Sequence, residues 1–99
     1  MEPIKRYTDS VTNSNLWVYI LSLGKEKEVP EGEVSRMIFE KFGFLPNDLM
    51  VKTVIFRLKK DGYASKERFQ SQSAYKATEK GIKELEKMKD ISADLIQKL

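Results

Sequence analysis

The stretch NDLMVKTVIFRLKKDGYASKERFQSQSAYKATEKG, Asn47 to Gly81, decides the fold. Asn47 or Asp48 suits a helix start, because a short side-chain oxygen can accept an unpaired first-turn N–H. Val51, Val54, Ile55 and Leu58 then recur three and four apart. At 100° per residue they fall within about 100° of one another, so they form one buried stripe. Asp61-Gly62 stops this helix. The period then changes: Tyr63–Glu67 and Ser73–Ala77 suit short strands, and the polar Arg68–Gln72 between them suits a hairpin tip. Thr78 is placed to cap a final helix running towards Leu99.

Upstream, residues 1–11 show no clear period and read as an arm or a short extra element. Asn13 or Ser14 can cap a first helix with apolar positions Leu16, Trp17, Ile20 and Leu21, closed by Gly24. Trp17 reads as core. After a polar connection, Lys25 to Val29, Pro30 suits the first turn of a second helix. Its apolar positions are Val34, Met37, Ile38 and Phe42, and Gly43 ends it. The order helix, helix, helix, hairpin, helix predicts a mainly α (α+β) fold. It is the layout of a winged helix-turn-helix with a two-stranded wing and a long C-terminal helix. Residues 1–99 read as a single domain, with 1–11 as N-terminal arm and 78–99 as C-terminal dimerisation helix.

At 99 residues the chain suffices for one domain with a modest core. Hydrophobic residues make up 40% and charged residues 33%, a globular rather than a disordered balance. Cys and His are both absent, which removes disulfides, thiolate chemistry, Cys/His zinc sites and histidine general bases together. Neither catalysis nor a cofactor is expected; a cytoplasmic, redox-indifferent binding protein fits better. The longest apolar run, Leu16 to Leu23, falls well short of the roughly 18 residues of a membrane helix, so no membrane partner is expected. Lys5-Arg6 has no apolar stretch directly behind it, and a secretory signal is not expected either.

Charge is unevenly placed. Residues 45–77 carry Lys52, Arg57, Lys59, Lys60, Lys66, Arg68 and Lys76 against Asp48, Asp61 and Glu67, whereas the segments on either side are close to neutral. A basic middle third suits phosphate, though a solvated lysine-rich face explains the charge equally well. Opposite its apolar stripe the third helix presents Met50, Lys52, Thr53, Phe56, Arg57 and Lys60. Arg57 can fork onto guanine edges or pair with phosphate, and Thr53 can meet a base or a thymine methyl. Lys52 and Lys60 suit phosphates, and Asn47 at the helix start is counted with them. Lys66 and Arg68, near a hairpin loop expected to be mobile until DNA orders it, complete the candidate DNA contacts. Phe56 falls off the main stripe; it is exposed, covered by the arm, or part of an interface.

The stretch from Val51 to Tyr63 resembles the recognition helix of the PadR family of winged-helix transcription regulators, with its acidic-Gly-hydrophobic stop. Ser73-Ala-Tyr75-Lys-Ala-Thr78-Glu-Lys-Gly81 is similar to that family's tyrosine-x-leucine-threonine-x-x-glycine wing exit. The likeness covers roughly residues 14–99. It implies a DNA-binding regulator that dimerises through its C-terminal helix. Some such relatives bind flat aromatic molecules between subunits; the last helix here has no aromatic residue, so a small-molecule effector is left without an identity.

In that last helix Ile82, Leu85, Met88, Ile91, Leu95 and Leu99 recur at spacings of three and four, close to a heptad seam. The three-helix core can cover its first two turns. The remainder points to a homodimer, unless Asp90 and Ser92 break the helix and fold the tail back. The expectation is a dimeric repressor on an inverted-repeat operator, with recognition helices in successive major grooves about 34 Å apart. One copy alone buries only about 600–1,000 Å² on DNA. The rivals are a protein-interaction adaptor using Phe56 and Met50, and a non-specific nucleic-acid binder.

Overall fold

The computed structural model describes residues 2–99. In chain order the helices are α1 (Pro3–Val11), α2 (Leu16–Leu23), α3 (Val34–Phe42), α4 (Asp48–Lys60) and α5 (Glu79–Lys98). The strands are β1 (Val29–Pro30), β2 (Ala64–Phe69) and β3 (Gln72–Ala77), paired antiparallel in the order β1-β3-β2. Helices α2, α3 and α4 pack around Leu16, Ile20, Leu21, Val34, Ile38, Val51, Ile55 and Leu58, all buried. The sheet closes that core from one side through Val29, Ala64, Tyr75 and Ala77. The result is a winged helix, mainly α with a small antiparallel sheet.

Three contacts fix the sheet and α5 on the helices. The buried Tyr75 hydroxyl donates to the Ile20 carbonyl at 2.6 Å, tying β3 to α2. Burial, and to a lesser extent the Glu31 charge, pushes this phenol far above its ordinary value. Gly24 lies where a Cβ would come within 2.8 Å of the Tyr75 ring, and its carbonyl accepts from Ala77 N at 2.8 Å. Thr78 donates to the Gly62 carbonyl at 2.7 Å and accepts from Gly81 N at 3.2 Å. A Cβ at Gly81 would stand 2.1 Å from the Tyr63 carbonyl oxygen. The threonine-x-x-glycine spacing is thereby explained: threonine caps α5 and clasps the α4–β2 turn, and only glycine lets the helix start approach that turn so closely.

Residues 3–11 form helix α1, the short extra element of the two readings given for the N-terminus. The structure corrects several sequence expectations. Asn13–Asn15 make a 3₁₀ turn instead of a side-chain cap, and α2 begins at Leu16. Pro30 does not open a helix. It pairs with Ala74 as Val29 pairs with Tyr75, so the two-stranded wing gains a third, short strand, and Glu31–Glu33 form a 3₁₀ turn before α3. Pro30 is tolerated because it sits on a sheet edge, where a missing N–H leaves no ladder bond unmade. The five-residue loop Arg68–Gln72 is also absent. Both strands extend to a two-residue turn, Gln70-Ser71, with φ of 49° and 66°. Paired left-handed residues give a hairpin turn whose twist matches the strands.

Candidate nucleic-acid interface

Helix α4 is built to stand with one face outward. Asn47 caps it, its Oδ1 accepting from Met50 N at 3.1 Å. Asp48, the helix's one carboxylate, accepts a hydrogen bond from Ser35 of α3. Val51, Ile55 and Leu58 are buried and Val54 half-buried, which turns Leu49, Thr53, Phe56 and Lys60 away from the core. Thr53 donates its hydroxyl hydrogen back to the Leu49 carbonyl at 2.9 Å. Leu49 and Phe56 are 74% and 66% exposed.

The cations divide between the flanks of this face. Lys52 lies on one side, exposed. Lys59, on the same side, is held by Glu31 at 2.5 Å in a half-buried pair and is withdrawn from the basic surface. Arg57 lies on the other flank. With Trp17, Val54, Tyr63, Asp61 and Glu84 it lines an open cleft of about 340 Å³ between α2, α4 and α5. Trp17 is accordingly half-buried at the edge of the core, its Nε1 donating to Asn15 Oδ1 at 3.3 Å. At the end of α4, Lys80 donates to the Asp61 carbonyl at 2.8 Å and lies over the Tyr63 ring.

In the wing, Lys66 pairs with Tyr75 and Arg68 with Ser73, so both cations share one face of the hairpin. Arg68 also donates to the Ser71 carbonyl at 3.1 Å, bracing the turn. The apolar seam expected along α5 splits in two. Leu85 is 2% exposed and belongs to the chain's own core, with Ile82 and Met88 packed partly against it. Ile91, Leu95 and Leu99 are exposed, and so is Ile96, which the spacing argument passed over.

The structure thus brings Asn47, Lys52, Thr53, Arg57 and Lys60 onto one exposed helix and Lys66 and Arg68 onto one hairpin. Sequence reasoning missed Leu49. Its spacing of seven from Phe56, with Thr53 between, was the available signal: those three share a face. Phe56 is exposed; the N-terminal helix does not cover it.

No family model matches the sequence, and no curated protein does. Solved structures do match the fold. A transcriptional regulator from Clostridium thermocellum superposes with a TM-score of 0.73 at 22% identity, over 91% of this chain and 97% of that one. A PadR family transcriptional regulator from Eggerthella lenta gives 0.79 at 15% identity, over 95% and 86%. The PadR of Bacillus subtilis in complex with operator DNA gives 0.67 at 18% identity, over 78% of this chain and 48% of that one. The chain therefore has a PadR-like winged-helix fold.

Proposed function

We propose that the chain is a sequence-specific, double-stranded DNA-binding transcriptional regulator of PadR-like type, a cytoplasmic repressor that binds an inverted-repeat operator as a homodimer. One observation carries this reading: α4 is capped, exposed and edged by Lys52, Arg57 and Lys60, and its one carboxylate is already engaged by Ser35. Such a helix suits the major groove, where lysines meet phosphates and an arginine can meet base edges. The Bacillus subtilis protein of like fold, bound to operator DNA, supports the assignment. In this reading Arg57 and Thr53 read bases, Asn47, Lys52 and Lys60 position the helix, and Lys66 and Arg68 take phosphates beside the wing. Thr53 contributes its methyl and its oxygen lone pairs, because its hydroxyl hydrogen is bound to Leu49. The exposed Ile91, Leu95 and Leu99 form the dimer seam, with Ile82 and Met88 at its inner end. A small-molecule effector has no assigned site.

Binding to duplex DNA across a salt series tests the proposal. Arg57→Ala should cost about 1–3 kcal/mol on the preferred site and less on random sequence. Lys60→Ala should weaken both about equally. Equal behaviour of the two variants reduces Arg57 to a phosphate anchor. The exposed Leu49 and Phe56 favour a protein-adaptor role as second reading, and no duplex binding even at low salt would select it.

A further inference from the structure

The outward line of α4 is mostly apolar, although the helix is edged with cations. Leu49, Thr53, Phe56 and Lys60 follow at spacings of four, three and four, so they lie along one line of the helix. Leu49 and Phe56 are among the most exposed large apolar residues of the folded body, and the Thr53 hydroxyl between them is turned back to the Leu49 carbonyl. Lys52 borders the line on one side and Arg57 on the other, and Lys60 ends it. A surface complementary to this pattern is apolar along its middle and anionic along both edges. The DNA major groove has that form wherever thymines occur: two phosphate rails, with C5-methyl groups projecting from the base edges between them.

Resting on the DNA-binding reading above, we propose that Leu49 and Phe56 are specificity-determining residues that pack on thymine C5-methyl groups in the major groove. The preferred site then carries thymines opposite the first and third turns of α4. Arginine readout alone would select guanines; this face adds a preference that hydrogen-bond donors do not supply.

Deoxyuridine isolates the methyl, because it keeps every hydrogen-bonding group of thymine and lacks only that carbon. The best site selected from a random duplex pool is synthesised twice, once with thymine and once with deoxyuridine throughout. The affinity of the wild-type protein should fall roughly fourfold for each methyl buried against Leu49 or Phe56, the worth of one buried methyl. The double variant Leu49→Ala, Phe56→Ala alters only exposed side chains. It should bind the thymine duplex at least as weakly as wild type binds the uracil duplex, and lose less than wild type does on passing from thymine to uracil, the remainder being any methyl that meets Thr53. Equal wild-type affinity for both duplexes, with steep salt dependence retained, overturns methyl reading and leaves DNA binding standing. No binding to either duplex at low salt overturns both and assigns the patch to a protein partner.

Discussion

The two halves of α5 share one apolar spacing and have opposite surroundings. In the first half Gly81 and Leu85 are buried and Ile82 and Met88 pack on the core; in the second, Ile91, Leu95, Ile96 and Leu99 face outward. The cause is placement, not composition. Thr78 and Gly81 clamp the helix start against the α4–β2 turn, so the first turns meet α2 and β3. A helix of 20 residues rises about 30 Å, and from Lys89 onward every one of its residues is exposed. Periodicity therefore identifies an apolar face without saying what covers it. The same holds at the other terminus, where Ile4, Tyr7 and Val11 recur along α1 and none of its residues is buried.

This contrast can be broken most forcefully at Leu85. Leu85→Ala opens a cavity inside the chain's own core and should cost about 3 kcal/mol, whatever the protein concentration. Thermal unfolding at two concentrations checks that independence. Leu95→Glu, nearly three turns further along, should leave the fold of the single chain intact and act on assembly instead. Sedimentation should show a dimer for wild type and a monomer for the variant. A wild-type protein already monomeric at micromolar concentration would dissolve the distinction between covered and waiting halves.

A smaller effect is expected where the sheet is tied to α2. Tyr75→Phe removes the donor to the Ile20 carbonyl from a buried site and should cost about 1–2 kcal/mol, read as a lower urea midpoint with unchanged slope. The raised Tyr75 pKa gives this a pH signature. The tyrosine's contribution is complete below the unfolded phenol's value of about 10 and declines as pH rises beyond it. Stability should therefore fall less steeply in strong alkali for the Phe variant than for wild type.

What the sequence revealed and what it hid follow from the range of the interactions. Helices α2, α3 and α4 were legible because three- and four-residue spacing is a local signal, and Thr78 was legible because a cap acts within one turn. Val29-Pro30 was not legible as a strand: its two residues are defined by pairing with Tyr75 and Ala74, about 45 positions away. The turn Gln70-Ser71 was hidden for another reason. Two-residue hairpin turns are usually marked by Asn-Gly or Asp-Gly, and here glutamine and serine take positive φ without that mark. In the candidate interface the cations were visible by charge, but the withdrawal of Lys59 by Glu31 depends on a residue 28 positions earlier. Leu49 was passed over although the stripe had already fixed the helix's rotation: its spacing of seven from Phe56 places it on the same outward face.

The least disruptive prediction concerns the wing, whose well-formed strands change what its cations can do. In a loose loop Lys66 and Arg68 would reach phosphates independently. In the register observed they stand two residues apart on one face of β2, opposite Tyr75 and Ser73, and a phosphate-lined groove meeting that face meets both. Each phosphate contact removed should lower the slope of log affinity against log salt by about 0.9. Lys66→Ala alone should therefore flatten the slope by about 1 and the double variant Lys66→Ala, Arg68→Ala by about 2, provided the wing lies along the backbone. Thermal stability should barely move, since both side chains are exposed and Arg68 gives up only its bond to the Ser71 carbonyl. A slope that changes for one residue and not the other would mean that the hairpin meets DNA at its tip rather than along its face. An unchanged slope would leave α4 to carry the binding alone.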